Sequence, residues 1–184
     1  MRKPAEEIIA SDIRIERLNK NHDLHSFKSY ELELVKFLFE DALDNQEKRV
    51  SVTYLWFYCG NLVGYITMLT DRIHLEGNLK SYFRGKGINY KALPALKIGR
   101  LCVDDHFLRM GIGKLMISFA VNKADQLYGE IAGCRFITID AKRNTDRSKD
   151  AIHFYKKLGF VILKEIALEV IILDPSSPLL QYWL

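Results

Sequence analysis

A glycine-containing turn near the middle of the chain, Leu108–Gly113 with the sequence LRMGIG, has the residue types of an anion-binding loop. Two glycines that flank one residue let the backbone come close to a bound group. A helical pattern follows the turn, and the first turn of a helix offers N–H groups and the positive end of its dipole to an anion. The turn therefore predicts a site for a phosphate or pyrophosphate group.

An apolar strand and an amphipathic helix flank this turn. The strand pattern before it consists of Leu96, Ile98, Leu101, Cys102 and Val103. The helical stripe after it ends near Gly129 and consists of Ile112, Leu115, Met116, Phe119, Ala120, Ala124 and Leu127. The predicted order is therefore a buried strand, a phosphate loop and a helix.

The spacing of the turn excludes the two most familiar phosphate loops. A P-loop needs a glycine where this chain has Leu108, and it needs a serine or threonine where this chain has Leu115. A dinucleotide-binding fingerprint needs a small residue where Met116 stands. Two alternatives stay open, namely another kind of phosphate loop and a turn that only caps the helix.

A second motif, Ala151–Phe160 with the sequence AIHFYKKLGF, follows further along the chain. Taken alone, Tyr155 on an apolar helix face is typical of a core residue. Together the two motifs resemble the GCN5-related N-acetyltransferases (GNAT). Their signatures are Gln/Arg-x-x-Gly-x-Gly/Ala directly after a central strand and Ala-x-x-x-Tyr-x-x-x-Gly-Phe in a later helix. The resemblance extends from about Asp12 to Leu173.

The resemblance implies an acetyl-CoA-dependent enzyme without a metal. In this family a primary amine attacks the thioester directly, a backbone N–H of the central strand stabilises the oxyanion, and a tyrosine protonates the CoA thiolate. The match makes Tyr155 the general acid and places the oxyanion donor within Leu101–Val103. The residues that the resemblance assigns to acetyl-CoA binding are Leu101, Cys102, Val103, Leu108, Arg109, Met110, Gly111, Ile112, Gly113, Lys114 and Ser148.

Two positions depart from the family's pattern. Leu108 stands where the family has glutamine or arginine, and Ser148 stands where an asparagine is frequent. Because most of the pyrophosphate contact comes from backbone, we expect cofactor binding to survive both changes. No general base is assigned, since acids after a strand are typical of a polar turn or a helix start. The candidates for that role are His106, His153, Asp104, Asp105 and Glu169.

The fold class that these patterns predict is α/β, with a single mixed, mostly antiparallel sheet flanked by helices, as in the acyl-CoA N-acyltransferase fold. Residues 1–184 are expected to form one acetyltransferase domain, with a loose N-terminus at 1–11 and a tail at 174–184. The predicted strands are Ile13–Leu18, Ser51–Tyr58, Leu62–Leu69, Leu96–Val103, Arg135–Asp140, Phe160–Leu163 and Ala167–Leu173, with a hairpin turn at Gly60-Asn61. The other predicted helices are Leu24–Leu43 and Asp146–Leu158.

The composition is that of an ordinary globular chain, with 184 residues of which 48% are hydrophobic and 27% charged. Three cysteines, Cys59, Cys102 and Cys134, lie in apolar runs without metal-ligand spacing. They are expected to be core thiols in a reducing compartment. No segment has the pattern of a signal peptide or a membrane span. We therefore expect a cytoplasmic protein with no membrane contact.

The segment from residue 72 to residue 100 is the most polarised part of the chain. Its seven basic residues, against Glu76 as the one acid, are Arg72, Lys80, Arg84, Lys86, Lys91, Lys97 and Arg100. Within it, Arg84–Asn89 matches the letters of an acetyltransferase loop, but no apolar strand precedes it and Pro94 stops any helix after it. We interpret it as a basic loop that is either solvated or faces the substrate.

The sequence leaves open whether the acceptor amine belongs to a small molecule, a protein or an aminoacyl-tRNA. Residues 93–104 resemble one branch of the family, the toxins that acetylate the amino acid on charged tRNA, which have a basic loop before a strand that ends in Arg-Leu-Ala-Val-Asp. That resemblance implies a tRNA contact through residues 72–100. Two alternatives are a non-catalytic acetyl-CoA-binding module and an interaction protein that uses the basic face. The apolar residues at 179–184 fit either a homodimer contact or a cover for the sheet.

Overall fold

The computed structural model describes residues 7–141, 151–165 and 169–173. The strands are β1 (Ile13–Arg17), β2 (Val52–Tyr58), β3 (Asn61–His74), β4 (Ala92–Val103), β5 (Phe136–Ala141), β6 (Val161–Glu165) and β7 (Glu169–Leu173). The helices are α1 (Leu32–Lys36), α2 (Ala42–Glu47), α3 (Gly77–Gly85), α4 (Ile112–Glu130) and α5 (Ala151–Lys157). The first of two compact units contains the described residues up to Leu69 and Ile98–Ala120, and the second contains Thr70–Lys97 and those from Val121 onward. Assignment of the whole chain to one domain stays a prediction.

In the first unit, β1, β2, β3 and β4 lie side by side in that order, and β2 is antiparallel to both β1 and β3. The turn between β2 and β3 consists of Cys59 (φ +48°) and Gly60 (φ +80°), because Tyr58 pairs with Asn61. The predicted turn at Gly60-Asn61 is thus wrong by one residue. Cys59 is exposed, so the prediction of a core thiol is wrong for this cysteine.

A helical layer covers one face of the sheet in the first unit. The predicted helix Leu24–Leu43 is wrong at both ends, since helical structure begins at Leu32 and continues through a π-helical turn, Phe37–Asp41, to Glu47. Phe27 belongs to the core without being helical, which explains why its spacing suggested a longer helix. The buried residues that join this layer to the sheet are Leu18, Phe27, Leu38, Ala42, Leu55, Phe57, Leu62, Tyr65 and Cys102.

The first half of α4 packs on the opposite face of the sheet in the first unit. Phe119 meets Trp56 edge-on, with 5.7 Å between the ring centroids. Gly64 of β3 lies beneath the same helix. A Cβ there would come within 2.4 Å of Met116 Cε and 2.8 Å of the Cys102 carbonyl oxygen. A glycine inside β3 therefore allows β4 and α4 to approach at this point.

In the second unit the strand order is β3, β4, β5, β7 and β6, and β7 is antiparallel to both β5 and β6. Helix α4 connects the neighbouring strands β4 and β5. The predicted fold class, a mixed sheet flanked by helices, is confirmed. The part of the predicted helix Asp146–Leu158 that precedes Ala151 lies outside the described residues. None of the described helices is long and apolar enough to span a membrane.

Helix α3 lies between the predicted strands Leu62–Leu69 and Leu96–Val103, where the sequence patterns predict no helix. Strand β3 extends to His74, and α3 follows it. Phe83 is 1% exposed and packs edge-on against Phe136, with 5.8 Å between the ring centroids. Because one buried aromatic residue anchors the helix while most of its other positions are polar, its sequence has no clear period. Arg84–Asn89 therefore lies at the end of a helix and not after a strand.

Candidate active site

The end of β4 contains Leu101–Val103, where the resemblance to the family places the backbone N–H that stabilises the oxyanion. Leu101 and Val103 are half-buried there, and Cys102 is buried. The next N–H group, that of Asp104, donates to the carbonyl oxygen of Val63 at 2.9 Å. The strand is therefore held against β3 up to the point where the chain turns. The backbone N–H that would stabilise the oxyanion stays a prediction.

The thiol of Cys102 lies within this segment and is unsuited to attack a thioester. Burial raises the pKa of Cys102 to about 11. The group is therefore a neutral thiol at pH 7, whereas the thiolate is the nucleophile in cysteine chemistry. The Cys102 thiol is accordingly unsuited to accept an acyl group.

Asp104 fixes the turn that follows β4. Its carboxylate is buried and accepts the N–H of Lys28 at 2.7 Å, the N–H of His106 at 2.9 Å and the ring Nδ1 of His106 at 2.8 Å. It thereby caps the short 3₁₀ turn Asp105–Phe107. The interpretation of these acids as a helix start is confirmed for Asp104. With three donors on its carboxylate, Asp104 is a structural residue of the site.

The loop before α4 has the backbone conformation that an anion site needs. Arg109 and Gly111 have φ values of +64° and +85°, and the N–H of Leu115 donates to the Gly111 carbonyl oxygen at 3.2 Å as the helix begins. The N–H groups of Ile112–Lys114 have no acceptor within the helix. Successive N–H groups in such alternating conformations form a concave anion-binding surface. This geometry suits a pyrophosphate held by backbone donors, and the expectation that cofactor binding survives with Leu108 stays a prediction.

Glu7 is a part of this loop's surroundings that sequence reasoning missed. A Cβ built on Gly111 would lie 2.9 Å from Glu7 Cγ and 3.1 Å from Glu7 Oε1. The next residue, Ile8, is buried, and its N–H donates to the Met110 carbonyl oxygen at 3.0 Å. The N-terminus, expected to be loose at 1–11, is therefore fixed at residue 8. No local pattern signals this contact, because it joins residues about a hundred positions apart.

The second motif explains how Tyr155 is fixed in the second unit. The N–H of Phe160 donates to the Tyr155 carbonyl oxygen at 3.2 Å, and the N–H of Gly159 donates to the Lys156 carbonyl oxygen at 3.1 Å. Gly159 has φ +88°. This is a Schellman ending of α5, which favours glycine at the left-handed position. Phe160 also packs on the Tyr155 ring, with 5.6 Å between the centroids, and Tyr155 is 5% exposed. The Gly-Phe pair of the motif thus fixes the tyrosine.

The structure brings together most of the predicted cofactor residues. Leu101–Val103 and the loop to Lys114 lie in the first unit, Tyr155 lies in the second, and Ser148 lies outside the described residues. Their role in binding acetyl-CoA stays a prediction. Of the base candidates, His106 and His153 are exposed and neither is assigned. Within the described part of the chain, no group of three or more His, Cys, Asp or Glu is placed to hold a metal ion.

A family model described as acetyltransferase (GNAT) domain matches residues 49–162. This range includes both the loop before α4 and Tyr155. The chain belongs to the GNAT family. It is an acetyl-CoA-dependent N-acetyltransferase.

Solved structures share the fold of this acetyltransferase. AtaT complexed with acetyl-methionyl-tRNAfMet has a TM-score of 0.76 and 22% identity, over 93% of this chain and 99% of that chain. A mutant of KacT has a TM-score of 0.76 and 21% identity, over 90% and 96% of the respective chains. AtaTR bound with acetyl-CoA has a TM-score of 0.73 and 23% identity, over 94% and 99%. No curated protein sequence matches the chain.

The carboxylate of Glu7 yields a prediction about cofactor affinity. Because it lies beside the loop that is expected to bind the pyrophosphate, Glu7→Gln should tighten acetyl-CoA binding about threefold at low salt, and the gain should shrink as ionic strength rises. Isothermal titration calorimetry at two salt concentrations measures both effects. Glu47→Gln, at the exposed end of α2, changes the net charge equally and serves as control. Equal affinities for the two variants at low salt would contradict the prediction.

Proposed function

We propose that this acetyltransferase transfers the acetyl group of acetyl-CoA to the α-amino group of an aminoacyl-tRNA. The observation that carries the proposal is the similarity to AtaT complexed with acetyl-methionyl-tRNAfMet, which extends over 93% of this chain. In AtaT the bound molecule is an N-acetylated aminoacyl-tRNA, the product of such a reaction. The strand segment Arg100–Asp104 carries the sequence RLCVD, which resembles the strand of the tRNA-acetylating branch.

The proposed reaction is a direct transfer within a ternary complex. The lone pair of the neutral α-amino nitrogen attacks the thioester carbonyl carbon, and the oxyanion that forms is stabilised by a backbone N–H of Leu101–Val103. The carbon–sulfur bond then breaks, the nitrogen loses a proton to solvent, and the CoA thiolate takes a proton from the hydroxyl of Tyr155. The tyrosinate that remains regains a proton from solvent. The raised pKa of Cys102 supports this route, since no described thiolate stands ready at the strand end to form an acetyl-cysteine.

The surface of α3 and of the segment between α3 and β4 supports a nucleic-acid acceptor. Tyr82 and Tyr90 are 53% and 72% exposed, and the Nζ of Lys86 lies 4.6 Å from the centroid of the Tyr82 ring. Exposed aromatic rings among basic residues suit stacking on bases and contact with phosphates. Of the seven basic residues between 72 and 100, only Lys97 has an ion pair within the described part of the chain, with Asp140 at 2.6 Å. The others are available to neutralise an acceptor's phosphates.

Incubation of the purified protein with labelled acetyl-CoA and aminoacylated tRNA tests the proposal. We expect labelled N-acetylaminoacyl-tRNA, identified by mass spectrometry after release of the amino acid. Uncharged tRNA, free amino acids and a lysine-containing peptide serve as parallel acceptors. Acetylation of the free amino acids or the peptide in preference to charged tRNA would contradict the proposal and favour a small-molecule or protein acceptor. Binding of acetyl-CoA without transfer to any of these amines would favour the non-catalytic alternative.

A further inference from the structure

Arg100 carries an exposed guanidinium directly before the strand segment Leu101–Val103. The guanidinium carbon lies 5.1 Å from the centroid of the Phe37 ring, and Nη1 donates to the carbonyl oxygen of Gly99 at 2.7 Å. A guanidinium has five N–H donors in one plane. Stacking on a ring restrains that plane while leaving its edge accessible. The side chain is therefore oriented, and most of its donors are not used by Gly99.

The ring beneath Arg100 is itself fixed by packing. Phe37 stacks on Tyr65 with 6.4 Å between the centroids and 20° between the planes. The hydroxyl of Tyr65 donates to the carbonyl oxygen of Leu34 at 2.7 Å. Phe37 is the first residue of the π-helical turn, and such turns occur frequently at functional sites. The pKa of Tyr65 is raised, chiefly by burial and to a smaller degree by the Cys102 thiol. The positive charge of Arg100 acts to lower it.

The charge of Arg100 is not neutralised within the described part of the chain, where no Asp or Glu forms an ion pair with it. Arg14 provides a contrast within the same unit. Its guanidinium also lies over a ring, that of Phe57 at 4.7 Å, but it forms an ion pair with Glu16 on the edge strand β1. Arg14 is thus a satisfied surface residue, whereas Arg100 is an oriented cation without a counter-ion next to the predicted thioester site.

We propose that Arg100 is a substrate-positioning residue that binds a phosphate group of the acceptor close to the reacting amine. Arginine pairs with phosphate through two parallel N–H···O bonds, which fix orientation as well as position. In an aminoacyl-tRNA, the phosphate nearest the aminoacyl group is the phosphodiester that joins the last two nucleotides. Contact at that phosphate restrains the aminoacylated ribose beside Leu101–Val103. The inference rests on the proposed function and assigns a residue to acceptor recognition.

Two acceptors that differ in phosphate test this subsite. One is aminoacyl-tRNA, and the other is 3′-O-aminoacyl-adenosine, which carries the same ester and amine without any phosphate. We expect Arg100→Ala to raise the KM for aminoacyl-tRNA about tenfold to a hundredfold, as for loss of hydrogen bonds to a charged group. The KM for aminoacyl-adenosine and the KM for acetyl-CoA should stay unchanged. Arg100→Lys keeps the charge but loses the paired geometry, so its KM for aminoacyl-tRNA should lie between those of the wild type and Arg100→Ala.

Arg14→Ala is the matched control, because it also removes a guanidinium from an aromatic ring in the first unit and should leave every KM unchanged. Melting temperatures of the variants identify any loss of folding, and Arg100→Gln, which keeps a polar side chain over Phe37, replaces Arg100→Ala in that case. Equal losses with both acceptors, or no loss with aminoacyl-tRNA, would overturn the phosphate subsite while leaving the proposed function intact. If the wild-type protein acetylates neither acceptor, the proposed function fails and the subsite with it.

Discussion

Replacement of Gly111 by alanine is expected to weaken acetyl-CoA binding by about tenfold or more. Gly111 has φ +85°, a conformation in which any Cβ is strained, and it stands where the loop before α4 would approach the pyrophosphate. Alanine either keeps the strained backbone or shifts it, and a shift turns the N–H groups of Ile112–Lys114 away from the anion. The methyl group would also meet the flexible side chain of Glu7. Calorimetric titration with acetyl-CoA measures the dissociation constant.

Gly87→Ala is the matched control for this prediction. Gly87 has φ +77° with open space around its Cβ position, and its segment has the letters of an acetyltransferase loop. Both alanine variants therefore strain a left-handed backbone and should lower the melting temperature to a similar degree. Only Gly111→Ala should lose affinity for acetyl-CoA. Loss of affinity in Gly87→Ala instead would show that the cofactor binds at the other glycine-rich segment.

The features of the site that were predictable from sequence are those that local chemistry determines. Gly111 and Gly159 have positive φ, a conformation that favours glycine. They therefore mark the loop before α4 and the Schellman ending of α5 in the sequence. The position of Tyr155 was predictable because its motif also contains the pair Gly159-Phe160, which caps the helix and packs on the tyrosine ring. Its role as general acid stays a prediction. The strand and helix on either side of Gly111 have clear periods, so their order was predictable as well.

The features that sequence missed depend on contacts between distant parts of the chain. Glu7 reaches Gly111, and Arg100 lies over Phe37, at separations that no local pattern encodes. The π-helical turn at Phe37–Asp41 interrupts the helical period, and Phe27 supplies an apolar position that is not helical, so the start of α1 was misplaced. Helix α3 was missed because it packs chiefly through one aromatic residue. These are cases in which tertiary contacts decide the structure.

Tyr155→Phe is expected to lower the turnover number about a hundredfold or more, with little change in acetyl-CoA affinity. The substitution removes only the hydroxyl. The ring contacts with Phe154 and Phe160, at centroid distances of 5.1 and 5.6 Å, and the backbone cap at Gly159 are retained. The thiolate must then leave without a fixed proton donor, while the loop that is expected to hold the pyrophosphate is untouched. Steady-state kinetics with saturating acceptor gives the turnover number, and calorimetry gives the affinity.

Tyr128→Phe controls for the loss of a tyrosine hydroxyl, since Tyr128 is 71% exposed on α4 of the same unit, and it should retain full turnover. A fall in acetyl-CoA affinity with unchanged turnover in Tyr155→Phe would assign this residue to binding and not to proton transfer. Unchanged values of both would place the general acid elsewhere. Phenylalanine preserves the packing of the buried Tyr155 ring. A lower turnover together with a wild-type melting temperature would therefore be due to loss of the hydroxyl and would support the proton transfer.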